Sequence, residues 1–424
     1  MSIEAEGFNV QKTNFKTFID ELEGKLALLT GAGGVTAVDA PNANYSFTLE
    51  DVRRPMLCLG LPGIGKTCAI GGVIEKLNKT LPPDKQLGFK KTLLGQTVVG
   101  TMEGIPVVNP TTGKVVRVQV PDLPDPAVDG EYGVYFLDEI TTADEAQVQP
   151  ALGLTDDSRS IGQYKLPDHW VVIAAGNGDD CANFVELHDM TISRFEVFDI
   201  AYDYKIDWRP WAVQNNIDEM IISFLNFSPT TCVRIESDDL AKSGKLFPTP
   251  RTWTRLSSEL NMRKVLGKEV SETMLPAFAS RIVGTKAANE FAAFCAFKKD
   301  VAYDAEKIAH GTEVPPKSVK DQIFHITLGQ CMKYLKTTIK ATDISQVTPT
   351  DIDLIGNTLN WFLKFETIHL DNCITAIMTI TQNKIWGTVV FKPEYVAKYP
   401  EYNNFIQKHA DSIMAIIDDL NIGA

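Results

Sequence analysis

Short apolar runs alternate with amphipathic stretches through the first half of the chain, and helical periodicity takes over in the second. Phe15, Ile19, Leu22 and Leu26 share one helical face, which predicts an amphipathic helix near the N-terminus. Gly31-Ala32-Gly33-Gly34 ends it, and a loop containing Pro41, Asn42 and Asn44 follows. From about residue 51 the pattern predicts strands at 56–60, 91–98, 133–138, 170–175 and 195–201 with helices between them, the signature of a parallel α/β sheet. The first, third and fourth are nearly continuous apolar runs, as strands covered on both faces require. Two segments interrupt this core and read as β-hairpins. One is 104–120, around Asn109-Pro110-Thr111-Thr112-Gly113; the other is 158–172, where Arg159 to Lys165 leads into Leu166-Pro167-Asp168. After about residue 205 helices dominate. The stripes Ile352, Ile355, Leu359, Phe362 and Ile413, Ile416, Leu420 read as packing faces.

The chemistry begins behind the first strand. Gly60-Leu61-Pro62-Gly63-Ile64-Gly65-Lys66-Thr67 spells GxxxxGKT directly after Met56-Leu57-Cys58-Leu59. The glycines let the backbone turn tightly and aim N–H groups at phosphate oxygens. Lys66 reaches the β- and γ-phosphates, Thr67 is placed to ligate Mg²⁺, and the helix that begins there adds the positive end of its dipole. The predicted nucleotide-binding stretch is Gly60, Pro62, Gly63, Ile64, Gly65, Lys66, Thr67 and Cys68. A chance match in a chain this long is expected on the order of once in a hundred sequences.

Such a loop needs acids to hold the metal and activate water. Gly133-Val134-Tyr135-Phe136-Leu137-Asp138-Glu139 is an apolar strand ending in two carboxylates, which places both at the carboxyl edge of the sheet. Asp138 is expected to hold Mg²⁺ and Glu139 to polarise the attacking water as general base. The next strand, Trp170 to Ala175, ends in Gly176-Asn177, and the Asn177 amide is suited to hold that water in line. Arg194 stands just before the last strand, where its planar, permanently charged guanidinium suits a transferring phosphoryl group. In Phe247-Pro248-Thr249-Pro250-Arg251-Thr252-Trp253, Pro250 marks a first helical position and Arg251 is a second candidate phosphate contact.

At 424 residues the chain has room for two to four domains. Its net charge of −13, from 41 basic and 54 acidic residues, argues against a general nucleic-acid footprint and leaves room only for a local basic channel. The seven cysteines include no CxxC pair and read as reduced thiols; the six histidines form no spaced ligand set, so zinc is not expected. The start, MSIEAEGFNV, has no apolar signal core, and no stretch approaches a bilayer span, so a cytoplasmic protein is expected.

Together these elements resemble the AAA+ ATPases: Walker A at 60–67, Walker B at 134–139, sensor 1 at Asn177, an arginine finger at Arg194 and sensor 2 at Arg251. The two hairpin insertions are similar to those of the helix-2-insert and pre-sensor-1-hairpin group. The wording LGxPGxGKT, FLDEI, LPDHWVVIAAGN, SRF and FPTPRTW resembles its MoxR-like branch, as does Val283 to Phe291. The likeness is specific across about 50–297. Two departures stand out: Thr141-Thr142 where many relatives carry Asn-Arg, and a long acidic stretch at 178–190. The resemblance implies a P-loop AAA+ α/β core with a parallel five-stranded sheet and β-hairpin inserts, followed by an α-helical lid and an α-helical C-terminal region. The implied boundaries are 1–50 (N-terminal helix and linker), 51–205 (nucleotide-binding core), 206–297 (lid) and 298–424 (C-terminal extension). It also implies an ATP-hydrolysing chaperone or remodelling motor that uses ATP and Mg²⁺. Its form is a homo-oligomeric ring, usually hexameric, in which Arg194 completes a neighbour's site. The implied partner is a von Willebrand A domain protein or another protein client.

Two other classes compete. A nucleic-acid-directed NTPase, restriction- or helicase-like, is weakened by the acidic balance and by Asn383-Lys384-Ile385-Trp386, which lacks the Asp of a guanine-reading NKxD. A nucleotide-switched scaffold would have no need of Glu139, Asn177 and Arg194.

Overall fold

The computed structural model describes residues 10–32, 48–98, 102–118, 123–178, 187–234, 246–297 and 303–410. The chain divides into two compact units, Met1–Asp203 and Tyr204–Ala424. Two of the expected features, the stripe Ile413, Ile416, Leu420 and most of the acidic stretch at 178–190, lie outside the described residues.

The first unit is built on a five-stranded sheet of β1 (Met56–Leu59), β2 (Leu87–Leu93), β5 (Tyr132–Asp138), β8 (His169–Gly176) and β9 (Glu196–Asp199). Two hairpins supply the rest, β3 (Ile105–Val108) with β4 (Val115–Val118), and β6 (Ser160–Ile161) with β7 (Tyr164–Lys165). The spatial order is β2-β5-β8-β1-β9 and every neighbouring pair is parallel. The three inner strands are buried almost throughout, which is why they read as unbroken apolar runs. With the mainly helical second unit, this is the expected α/β core with a parallel five-stranded sheet and β-hairpin inserts, followed by a helical region.

Three helices matter for the site: α1 (Phe15–Thr30), α2 (Lys66–Asn78) and α3 (Glu145–Leu152). Asn14 caps α1 by accepting from the Thr17 N–H at 2.8 Å, and Gly31 closes it in the left-handed region at φ 72°. The helix packs on α2, with Lys76 reaching Glu23 at 2.7 Å, and on β9, where Phe18 sits edge-on to Phe198 at 5.3 Å. Just before it, Thr13 bridges β9: its N–H donates to Asp199 O at 2.9 Å and its carbonyl accepts from Ala201 N–H at 2.8 Å. That pairing covers part of an otherwise open sheet edge. On the opposite face Leu57, Leu59, Tyr135, Leu137, Val172 and Ala174 join Val148, Ala151 and Leu152 of α3 in one core.

Trp170 sets the packing at the far end of the inner strands. A Cβ on Gly133 would lie 2.7 Å from its ring, so only glycine fits there. The Trp170 indole N–H is satisfied by Gly130 O at 3.0 Å.

Two expected elements are displaced. The second strand runs 87–93, not 91–98, because residues 94–96 turn into a short 3₁₀ segment. The second hairpin has two-residue strands inside the span expected at 158–172; its last residues already belong to β8. Arg159, just ahead of β6, is buried at φ 47°, with its guanidinium donating to Pro167 O at 3.1 Å and to Trp170 O. Burial lowers its pKa to about 10.

The second unit is helical among the described residues. Phe224, on the helix Glu219–Phe227, meets Trp253, Phe291 and Phe294 at ring distances of 5.5–5.6 Å. The same helix packs closely on Asp321–Thr338, where a Cβ on Gly329 would fall 2.0 Å from Ser223 Oγ. A second aromatic cluster joins Phe324, Trp361, Phe362 and Phe365. Of the stripe Ile352, Ile355, Leu359, Phe362, the last three are buried and Ile352 is half-buried.

Candidate nucleotide-binding site

The register of the sheet brings the carboxyl ends of β1, β8 and β5 together. Leu59 pairs with Gly176 and Leu137 with Ala174, so Gly60, Asn177 and Asp138 leave neighbouring strands at one edge. Open parallel sheets bind ligands outside that edge. Gly60 N–H donates to Gly176 O at 3.3 Å and carries the alignment one residue past the strands. Gly60 is also tightly enclosed: a Cβ there would sit 3.1 Å from Ile200 and from Ile64.

The loop then turns through two left-handed positions, Gly63 at φ 79° and Gly65 at φ 103°, where a side chain would be strained. Gly65 is the N-cap of α2 and offers no side chain to its first N–H groups. Those donors and the helix dipole face the open edge, which suits a phosphate. A Cβ on Gly65 would meet nothing within 4 Å, so open space lies beside the turn. Lys66 bends back and donates to Gly60 O at 2.8 Å and Leu61 O at 3.2 Å, bracing the loop across its own mouth. Ile64 is buried, Pro62 and Gly63 are half-buried, and Cys68 is exposed on the first turn of α2.

Thr67 joins this loop to the acid strand. Its hydroxyl donates to Asp138 Oδ2 at 3.2 Å, while Asp138 Oδ1 accepts from the Glu139 N–H at 3.0 Å. Two hard oxygen donors on adjacent elements fit a small divalent cation such as Mg²⁺. Glu139 is exposed and adopts φ 61°, ψ 34°, a left-handed conformation uncommon for this residue type. Its carbonyl is held by Thr142, whose N–H and hydroxyl both donate at 3.0 Å. Strain stored at one carboxylate of a cleft is an observed outlier of the kind found at working sites. Gly95 lies beside it, since a Cβ there would come 3.1 Å from Thr142 Oγ1 and 3.8 Å from Glu139 Oε2.

Three partnerships here are absent from any local reading of the sequence. Thr141 is fully buried; its hydroxyl accepts from the Asn177 N–H at 2.7 Å and its side chain crowds Gly176. Thr141 therefore anchors the Asn177 backbone. Lys91 of β2 pairs with Asp138 Oδ2 at 2.7 Å. Arg194 does not reach the loop of its own chain: it pairs with Asp156 at 2.6 Å and donates to Leu152 O at 3.1 Å, at the end of α3. Cys58, beneath the loop on β1, is fully buried, and that burial pushes its thiol pKa up to about 12.

Arg251 belongs to the second unit. It is exposed at the second position of the helix Pro250–Val265, behind Pro250 and the Thr249–Thr252 capping box. The structure therefore gathers Gly60–Cys68, Asp138, Glu139 and Asn177 at one edge of the first unit, and pairs Arg194 with Asp156 beyond α3.

No protein-family model matches the sequence, and no curated protein matches it. Several solved structures are weakly similar to this chain. Hsp104 with ATPγS and FITC-casein is 17% identical with a TM-score of 0.35; the match covers 59% of this chain and about half (48%) of that one. PCH-2 of C. elegans is 13% identical with a TM-score of 0.30, over 68% of this chain and 70% of that one. NtrX of Brucella abortus is 13% identical with a TM-score of 0.32, over 76% and 69%. Likeness at this level does not bear on what the chain does, and the function must be argued from its own residues.

Proposed function

We propose that the chain is an ATP-hydrolysing AAA+ protein of the MoxR-like kind, acting as a ring-forming chaperone or remodelling motor on protein clients. The observation that carries this reading is the 3.2 Å bond from Thr67 to Asp138, which ties a GxxxxGKT loop to an acid strand with Glu139 and Asn177 beside it. In this reading Gly60, Pro62, Gly63, Ile64, Gly65, Lys66, Thr67 and Cys68 line the triphosphate. Thr67 and Asp138 hold Mg²⁺, which when bound neutralises charge on the phosphates. Glu139 takes the proton of the attacking water, and Asn177 orients that water. The site excludes competing geometries by fixing both groups from the backbone: Glu139 through Thr142, Asn177 through Thr141.

Arg194 acts on a neighbouring subunit, and its pairing with Asp156 in its own chain is in keeping with that role. The assembly is a homo-oligomeric ring, six subunits being usual for the kind. Arg251 contacts nucleotide from the helical region. Residues 206–297 serve as the lid and 298–424 as a C-terminal extension, behind an N-terminal helix and linker at 1–50 and the core at 51–205. A von Willebrand A domain protein is the partner class that the resemblance favours.

The test is Mg·ATP titration and turnover of the full chain beside Lys66→Ala. The wild type is expected to bind and release phosphate, and the variant to do neither. A wild type that binds no nucleotide, or a variant that hydrolyses at the same rate, contradicts the proposal.

A further inference from the structure

The ammonium at the metal carboxylate is the feature that ATP hydrolysis does not itself require. Lys91 stands on β2 opposite Phe136, two residues short of the Asp138 level, which faces Leu93. Its side chain runs along the strand, with Nζ 5.8 Å from the Phe136 ring centre, and reaches Asp138 Oδ2 at 2.7 Å. That same oxygen accepts from Thr67 at 3.2 Å. The carboxylate is thus filled on one oxygen by a hydroxyl and a cation, and on the other by the Glu139 N–H. The Asp138 side chain is 15% exposed and that of Lys91 33%, so the pair is only partly screened by solvent.

We infer that Lys91 is a positioning residue that sets the metal requirement of the site: it occupies Asp138 as a counter-ion, and a divalent cation must dislodge it or lie beside it. Both routes weaken metal binding, the first by breaking a close ion pair and the second by like-charge repulsion. The consequence is selective. Metal alone is disfavoured, while a metal that arrives with a triphosphate brings the negative charge that an ammonium at this place can tolerate. The inference rests on the proposed nucleotide site and adds to it a reason why Asp138 stays aligned without metal.

The test is Mn²⁺ binding to nucleotide-free full-length protein, followed by electron paramagnetic resonance of the free ion, alongside the Mg²⁺ dependence of fluorescent ATP-analogue binding. Lys91→Met is expected to bind Mn²⁺ alone about tenfold tighter than wild type, while the Mg²⁺ needed for half-maximal analogue binding changes by less than about threefold. Lys91→Arg keeps the charge and is expected to stay near wild type. Lys91→Gln serves as a second neutral variant should Lys91→Met fail to fold. Unchanged or weaker Mn²⁺ binding in a folded neutral variant overturns the inference. So does analogue binding weaker than wild type in the neutral variants at saturating Mg²⁺, which would make Lys91 a phosphate ligand. If the wild type takes no nucleotide with any metal, the functional proposal itself has failed; if it does and the neutral variants shift nothing, only the role of Lys91 has.

Discussion

Thr141→Val removes one acceptor and leaves almost the same shape. Thr141 is 0% exposed and valine differs from it by a methyl in place of the hydroxyl, so the substitution exposes no new surface and changes the volume little. What it changes is the 2.7 Å bond from the Asn177 N–H, which has no replacement acceptor in a valine side chain. A buried unsatisfied backbone donor costs about 1–3 kcal/mol, and Asn177 is half-buried. The fold can avoid part of that cost by letting Asn177 turn toward solvent, and then the water-orienting amide is displaced. Misplacement by about an ångström is worth on the order of 10²-fold in rate. Thr141→Val is therefore expected to lose about 1–3 kcal/mol in urea unfolding and to turn over ATP about 10- to 100-fold more slowly, with nucleotide affinity nearly unchanged. Thr141→Ser should behave in the opposite way. It keeps the acceptor but loses the methyl packed against Gly176, so stability falls by about 1 kcal/mol while turnover is largely kept. Turnover at the wild-type rate in Thr141→Val, or a serine variant as slow as the valine one, would refute the coupling between Thr141 and Asn177.

Two further outcomes follow from other parts of the molecule. Arg194→Ala removes an ion pair whose side chains are 28% and 43% exposed, so stability should change by less than about 1 kcal/mol. Turnover should fall by about 10³ or more with nucleotide binding intact, measured by phosphate release and analogue titration; wild-type turnover would remove Arg194 from the reaction. His325, 3% exposed in the second unit, has its pKa lowered to about 4, first by burial, with Arg209 and Lys205 adding to it and Asp321 and Asn372 opposing it. Above pH about 6.5 the imidazole is neutral in both folded and unfolded chains and makes no difference. Between 6.5 and 4 only the unfolded chain takes the proton, so stability falls as pH falls, by about 3 kcal/mol in all. His325→Asn should flatten that part of the stability profile, and an unchanged slope in denaturant midpoints between pH 7 and 4 would contradict it.

How far the sequence could be read depended on how local each cause is. β1, β5 and β8 are inner strands, and burial on both faces wrote them as apolar runs whose ends point to Gly60, Asp138 and Asn177. β2 is an edge strand with Lys90, Lys91 and Thr92 in its middle, so its limits carried no such signal. Its start is fixed instead by long-range fit: a Cβ on Gly88 would strike Asp129 O at 2.3 Å and the Trp170 ring at 3.0 Å. The partners of the site residues are also distant in sequence. Thr141 lies 36 positions from Asn177, and Thr67 lies 71 from Asp138. Residue types and motif order foretold the second of these pairs, because metal ligation demands both groups. Nothing local foretold the first, nor Lys91 at Asp138 or Asp156 at Arg194. In each of these a polar side chain answers a need created only by the fold. Thr13 on the edge of β9 belongs to the same group, since strand-edge pairing by a chain segment ahead of a helix leaves no periodic trace.

The division of labour between Asp138 and Glu139 is the centre of the account, and Glu139→Gln tests it. Glutamine keeps the length of the side chain and the backbone conformation at φ 61°, so folding and phosphate contacts should survive. After incubation with Mg·ATP, rapid removal of free nucleotide and acid quench, the nucleotide retained by the variant should be ATP, with phosphate release at least about 10²-fold below wild type. Bound ADP and wild-type phosphate release in Glu139→Gln would contradict it.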